Sequence, residues 1–419
     1  MSRPPASAGT RRILGLEWPE RLTLAESRSL VAGGLGWMLD AMDVMLYSLV
    51  LAHLMRDLGM EKSTAGLLNS LTLVASAVGG LAFGFIADRL GRTRALMISI
   101  LVYSVASGAC GLSRTIVELA IFRFVLGLGM GGEWTTGAAL IAETWPAEHR
   151  GKALGLMQST WAIGEMIAAG VVALVLPSFG WRAVFLVGIL PALMVFWIRR
   201  HVPESEIWLR HHARKSPASL GRLWHPDIRR NGLLATAMNA CGMFGYWGLF
   251  TWIPAYLSLP VEQGGRGLDL LKTTTWLLVM GVGKWLGYVS FGFLADSFGR
   301  RRSYVGYLLV AAALVPLYGM AKAPLWLLLL GPFVAFFGTG FFSGFSALAS
   351  ELFPTEIRAT AMGLSYNVGR GLSAAAPFAV GLLARHYGLG AAFFLQAAAF
   401  FVAALLALAL PETKGRQLT

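Results

Sequence analysis

Seven ionisable residues stand inside long apolar stretches of the sequence: Asp40, Asp43, Arg123, Glu133, Glu165, Lys284 and Arg370. A charge at membrane depth costs several kcal/mol unless it meets a partner or water, so each marks a place where chemistry is expected. The four carboxylates all lie in the first half of the chain, and the two such residues in the second half are both cations. That division predicts proton handling by the front half and anion binding by the back half. Asp40 and Asp43 are three residues apart and share one helix face. Two neighbouring carboxylates with little solvation hold a proton more readily than either alone, and act as a coupled pair. None of the seven histidines falls in the middle of an apolar stretch, so proton coupling must use carboxylates. Asp43 is the first choice for the proton and Glu133 the second. Arg123 is expected to pair with whichever acid is ionised, competing with the proton, or else to form a static pair with Asp40 or Glu133. Glu165 shares its stretch with Gln158 and Trp161, spaced like a polar stripe toward a cavity; a hydrogen-bonded buried acid would leave the same pattern.

Lys284 and Arg370 have no carboxylate in an apolar stretch of their own half, so an incoming anion would relieve an uncompensated positive site. Arg370 offers a planar fork for bidentate binding of a carboxylate, and Lys284 a mobile point charge. Asn367 lies about one helical turn from Arg370 and Tyr366 beside it, and Tyr47, Trp134, Trp161, Tyr246 and Trp247 are expected to wall the cavity. At membrane depth, one proton neutralises the summed charge of these seven residues and a bound monocarboxylate restores a single negative charge. The proton stoichiometry stays open.

These residues need elements that hold them within a bilayer. Of 419 residues 56% are apolar and only 14% charged, where soluble domains carry about a quarter. Twelve apolar stretches between residues 29 and 410 are each long enough to cross a core of roughly 30 Å, and unpaired backbone groups in lipid make them helices. The predicted fold is therefore all-α and membrane-spanning. It comprises a tail (1–28), a six-helix half (29–199), a linker (200–230), a second six-helix half (231–410) and a short tail (411–419). Residues 1–28 hold no apolar core of signal-peptide length. Lys and Arg concentrate about three to one on the side that carries both ends of the chain, which predicts cytoplasmic termini. The net charge of +13 follows from these short basic loops, and no nucleic-acid partner is expected. Cys110 and Cys241 lie in apolar runs, which excludes a disulfide framework, and no metal or cofactor motif, phosphate loop or nucleophile with a base occurs. The sequence does not read as an enzyme.

An internal repeat divides the chain. Gly84 to Arg94 (GFIADRLGRTR) recurs as Gly292 to Arg302 (GFLADSFGRRR), and Glu143 to Gly151 (ETWPAEHRG) as Glu351 to Ala359 (ELFPTEIRA), both at an offset of 208 residues. Pro203-Glu204-Ser205 and Pro411-Glu412-Thr413, and Gly180 and Gly388, share that offset. Six spans per half leave the halves in the same orientation, with a substrate path where they meet. Glycines four apart, such as Gly80 and Gly84, Gly127 and Gly131, or Gly283 and Gly287, are expected to let helices approach closely.

The Gly84-x3-Asp88-Arg89-x-Gly91-Arg92 string resembles the loop signature between helices two and three of the major facilitator superfamily, and its second copy sits where that family repeats it. Arg123-x3-Gly127-x-Gly129 and Glu143-x2-Pro146-x3-Arg150-Gly151 resemble two further motifs of the family, so the likeness covers essentially the whole chain. LDAMD (Leu39 to Asp43), GMGGEW (Gly129 to Trp134), WRAVFLVGILP (Trp181 to Pro191) and Pro203-Glu204-Ser205 look most like bacterial proton symporters for organic acids, especially the sialate and lactate group. The short central loop departs from the fourteen-span sialate carriers. The resemblance implies a twelve-helix carrier working by alternating access. It also implies that Asp88, with Arg89, Arg92, Asp296, Arg300, Glu143, Arg150, Glu351 and Arg358, belongs to a gate that holds the two halves closed. The expected function is import of a small organic anion with protons by a monomer in lipid; the alternatives are a proton-coupled efflux antiporter and a non-transporting receptor of carrier-like fold.

Overall fold

The computed structural model of the chain describes residues 10–13, 16–19, 22–211, 225–353 and 358–414. Two short strands, β1 (Thr10–Ile13) and β2 (Leu16–Pro19), pair antiparallel with Thr10 opposite Pro19. Four residues are too few for alternation to announce a strand, and the sequence reads this segment as an irregular tail. Helix α1 (Leu24–Asp57) begins before its apolar stretch. Thr23 accepts from the Glu26 N–H at 3.2 Å while the Glu26 carboxylate accepts from the Thr23 N–H at 2.7 Å, a reciprocal cap that fixes the first turn.

The remaining helices follow in chain order: α2 (Lys62–Leu90), α3 (Arg92–Cys110), α4 (Ile116–Thr144), α5 (Ala147–Val187), α6 (Met194–His201) and the short α7 (Glu206–His211). After the linker come α8 (Pro226–Ser258), α9 (Leu270–Phe298) and α10 (Arg300–Met320). The last three crossings are each built from two pieces: α11 (Pro324–Gly340) with α12 (Phe342–Leu352), α13 (Arg358–Ser373) with α14 (Ala375–Tyr387), and α15 (Leu389–Ala392) with α16 (Phe394–Ala409). Gly180, at φ 74°, breaks α5 between the fifth and sixth crossings. The twelve crossings form two six-helix halves.

The repeat seen in the sequence governs the backbone. The bounds of α2, α3 and α4 shifted by 208 residues give α9, the start of α10, and α11 with α12. Left-handed glycines obey the same shift: Gly59 and Gly267 (φ 61° and 66°), Gly91 and Gly299 (both 101°), Gly180 and Gly388 (74° and 79°). At Gly91 a side chain would be strained by φ and would also meet the Glu204 carboxyl, with Cδ 2.8 Å from its Cβ. That glycine lets the chain turn tightly from α2 into α3.

Within the halves α2 packs on α4, α1 on α5, and α9 on α11; between them α2 meets α13 and α14, and α5 meets α9. Glycines provide the close approaches. A Cβ on Gly127 would stand 2.8 Å from Ala75 Cβ, and one on Gly283 2.7 Å from Pro332 Cα. Large apolar side chains such as Leu174, Phe179, Leu325 and Leu372 are exposed on the outer surface, where lipid is their solvent.

At the end of the bundle away from the chain termini, hydrogen bonds and an ion pair join the halves. Lys62 Nζ donates to the Gln263 carbonyl at 2.6 Å, Arg385 pairs with Glu61 at 3.0 Å, and Asn69 donates to Thr251 Oγ1 at 2.8 Å. At the terminal end, the described ion pairs stay within one half. Arg92 pairs with Glu143 at 3.0 Å and Arg300 with Glu351 at 3.2 Å. Glu204 and Glu412 accept the N–H groups of Arg92 and Arg300, each at 2.8 Å, at the starts of α3 and α10. Burial pushes the Glu412 carboxyl up, but the N–H donors of Lys414, Arg300, Thr413 and Arg301 outweigh it and hold it below the usual glutamate value.

Candidate functional site

Arg370 on α13 reaches across the interface to α2. Its Nη1 donates to Ser76 Oγ at 2.7 Å and its Nη2 to the Tyr366 hydroxyl at 3.4 Å, while its Nε–H has no hydrogen-bond partner. The residue is 2% exposed and lines a small cavity together with Trp37, Gln158, Trp161, Tyr246 and Tyr366. The indole N–H of Trp37 also lacks a partner. Two residues that line one cavity thus each hold a buried donor without a partner. Trp134 and Tyr366, one from each half, stack with centroids 4.1 Å apart, and Trp134 Nε1 donates to Gln158 Oε1 at 3.3 Å.

Behind Arg370 lie the acids of the front half. Asp40, Asp43 and Glu133 are fully buried, and the carboxylate oxygens of Asp40 and Glu133 have no hydrogen-bond partner. Arg370 is in electrostatic reach of Asp40 and Glu133, and Asp40 of Asp43. Glycines make room for them: the Glu133 carboxyl fills the place a Cβ on Gly36 would take, and a Cβ on Gly188 would stand 2.7 Å from Asp43 Oδ1. A buried carboxylate without a donor is costly as an anion, and a proton removes that cost.

Lys284 on α9 has a different environment, and the expectation that it lacks compensation is corrected. Its Nζ bonds Glu165 Oε2 on α5, across the halves, and sits 3.7 Å above the Phe250 ring centroid. Glu165 Oε1 accepts from the Tyr246 hydroxyl at 2.6 Å and from Trp161 Nε1 at 2.8 Å. The partner was hidden from sequence because it comes from the other half, 119 residues away. This cluster stands between the first cavity and a second of about 400 Å³, walled by Met45, Leu49, Phe250, Leu277 and Met280.

Three other expectations are also corrected. Arg123 meets no carboxylate: Nε donates to Thr72 Oγ1 at 3.0 Å, Nη2 to Asn69 Oδ1 at 2.8 Å, and the guanidinium lies 4.0 Å over the Tyr47 ring. Glu133 is ten residues along the same helix, about 15 Å away along its axis, which puts the pair out of reach. Tyr47 does not wall either cavity; its hydroxyl is tied to the Ala65 carbonyl at 2.7 Å. Asn367 bonds back to the Gly363 carbonyl at 3.0 Å and its amide presses on Gly80, so it faces α2 rather than the cavity. Of the expected gate, Arg92, Glu143, Arg300 and Glu351 brace their own halves, and Arg89 is exposed over the Phe85 ring at 4.1 Å. The side chains of Asp88, Arg150, Asp296 and Arg358 lie outside the described residues.

Trp37, Ser76, Met243, Tyr288 and Phe342 were missed by sequence reasoning. Trp37 stands three residues before Asp40, within one turn, and Ser76 is the residue that the 208-residue offset pairs with Lys284. Both signals were available. Met243, Tyr288 and Phe342 carry no signal that distinguishes them from ordinary packing residues.

The model of the family described as Major Facilitator Superfamily matches residues 34–290 and 258–418. A protein of Cupriavidus pinatubonensis described as "Probable 4-methylmuconolactone transporter" is 35% identical over 391 residues, covering 91% of this chain and 89% of its own. The sialic acid transporter NanX of Escherichia coli is 29% identical, covering 91% and 93%. Among solved structures, a D-xylose-proton symporter superposes with a TM-score of 0.77 at 21% identity, covering 94% of this chain and 100% of that one.

Proposed function

The chain belongs to the major facilitator superfamily, a premise from which we propose that it imports a small organic anion together with protons by alternating access. It is a multi-pass membrane transporter rather than an enzyme. The relatives named for an organic acid and a lactone support a carboxylate cargo, and the superposed proton symporter supports the fold on which coupling is built. We place it in a bacterial inner membrane, on its likeness to bacterial transporters, with both termini cytoplasmic on the charge bias of its loops. The halves are hydrogen-bonded at the end remote from the termini, so in that orientation the outer side is closed.

The observation that carries this reading is Arg370, a buried cavity-lining residue with an unused N–H and with unpartnered acids in electrostatic reach. With Asp40 and Glu133 ionised, its field is drawn toward them. Protonating them frees the guanidinium for a carboxylate in the cavity, and a bound carboxylate makes the protonated acids the better arrangement. Each ligand raises the affinity of the other by the same factor. Arg370, not Arg123, is the group for which proton and anion exchange roles. Asp43, beside Asp40 on one helix face, passes protons to that pair. Lys284, held by Glu165, ties α5 to α9 and sets the side wall.

Purified carrier in liposomes, offered a panel of labelled carboxylates under an inward pH gradient, tests this directly. Accumulation above equilibrium that collapses with an uncoupler is expected. Exchange of a carboxylate with no response to the gradient would overturn proton coupling.

A further inference from the structure

We infer that the cargo is a flat, conjugated monocarboxylate, held by Arg370 and the Trp37 indole N–H, and that polyhydroxylated acids are refused. This rests on the anion reading above and sharpens it to a substrate class. Seven of the ten residues lining the cavity are aromatic and an eighth is Met243, which leaves Gln158 and Arg370 as the polar side chains other than tyrosines. Gln158 Oε1 is already engaged by Trp134, and the Tyr246 hydroxyl by Glu165 and Trp161. A sugar acid would give up the water around each hydroxyl and find few replacements, and an unmatched polar group is the strongest ground on which a dry site discriminates.

A ring finds the opposite. Trp37 and Trp161 stand 4.5 Å apart at 44°, while Trp161 with Trp247, and Tyr246 with Phe342, meet edge to face at 6.1 and 5.2 Å. The rings brace one another into a nearly continuous aromatic wall, the kind of surface against which a flat ring packs. The two unpartnered donors, Arg370 Nε–H and Trp37 Nε1–H, belong to opposite halves of the carrier. A carboxylate with two oxygens can accept from both and so draw the halves together around the ring.

Binding to the purified full-length carrier is measured by thermal shift and by competition, using benzoate, nicotinate, gluconate, N-acetylneuraminate, lactate and the uncharged benzamide. Benzoate or nicotinate should bind at least ten-fold more tightly than gluconate, N-acetylneuraminate or lactate. Trp37→Phe keeps the ring and removes the donor; it should weaken the flat acids about ten-fold and leave benzamide little changed. Phe342→Leu should narrow the gap between benzoate and lactate. Should gluconate or N-acetylneuraminate match benzoate, the ring class is wrong and the anion reading stands. Should benzamide match benzoate, the anion reading is wrong and the ring class stands. If none of the acids binds between pH 5 and 8 while the wild-type carrier elutes as a folded species, both are overturned. A Trp37→Phe carrier that is folded and binds benzoate as well as wild type removes Trp37 from the site.

Discussion

The two places where the halves cross are equivalent by the repeat, yet they are finished differently. Helix α2 meets α13 as α9 meets α5, and Ser76 on α2 occupies the position that Lys284 occupies on α9. At the α5–α9 crossing the cation has a carboxylate partner, and that carboxylate is further held by Tyr246 and Trp161. At the α2–α13 crossing the cation, Arg370, has two hydroxyls and an idle N–H. One backbone arrangement thus carries a closed charge pair on one side and an open one on the other. The repeat explains the shape of the carrier, and the departures from it coincide with the proposed anion site. A structural pair and a binding charge differ in whether the protein supplies the counter-ion.

The sharpest way to break that contrast is to remove the open charge. Arg370→Ala should reduce carboxylate binding and uptake by at least ~100-fold, the scale of a lost charge-assisted pair, whereas Arg370→Lys should retain part of the binding. Uptake at the wild-type rate by a folded Arg370→Ala carrier would remove this residue from the site. A second experiment makes the open crossing resemble the closed one. Ser76→Asp supplies Arg370 with an internal counter-ion and should weaken substrate binding by about ten- to a hundred-fold, corresponding to ~1.5–3 kcal/mol for a bond to a charged group; Ser76→Ala should cost less than that. Equal losses in the two variants would show that Ser76 acts by packing and not by leaving a vacancy for charge.

The closed crossing can be opened in turn. Glu165→Gln leaves Lys284 buried beside neutral neighbours, and stranding one member of a buried pair costs ~3–5 kcal/mol. The melting temperature in detergent should fall by several degrees. Glu165→Gln combined with Lys284→Met removes both charges and should recover most of the loss, because a buried pair is often no more stabilising than apolar side chains of similar size. A double variant as unstable as the single one would mean that the pair contributes more than mutual neutralisation. Asp40→Asn and Glu133→Gln probe the other side of Arg370. Each should preserve substrate exchange and lose several-fold in gradient-driven accumulation, read in the same liposomes.

Much of this was legible before any coordinates. Hydrophobic run length gave the crossings, and the 208-residue offset gave the two halves together with their turning glycines, because backbone geometry repeats with sequence. The seven charges were found on the same ground: a lone charge in an apolar run is conspicuous. Pairing was harder to read. Lys284 and Glu165 lie 119 positions apart in different halves, and Arg123 found its acceptors in Thr72 and Asn69, neutral residues that nothing in the sequence marks. Helix phase also escaped the reading. Asn367 is one turn from Arg370, yet its amide turns to α2 and Gly80 because it bonds the carbonyl four residues back. Spacing along a helix locates a residue by depth, while a cavity needs direction as well, and direction is set by neighbours from distant parts of the chain.

The smallest expected effect is also the most selective. Tyr246→Phe removes one of the two neutral donors on Glu165 Oε1 and leaves Trp161 and Lys284 in place. Because Tyr246 lines the cavity with its ring, the substitution keeps the aromatic wall and deletes only the hydroxyl. The loss should be about 1.5–3 kcal/mol of stability, the range for one hydrogen bond to a charged acceptor, with substrate affinity changed less than three-fold. If the two crossings divide their tasks as argued, the stability change should appear without an affinity change. A Tyr246→Phe carrier of normal melting temperature but ten-fold weaker substrate binding would show the hydroxyl contacting cargo directly. Glu165 and Lys284 would then belong to the anion site, and the distinction between a closed and an open crossing would fail.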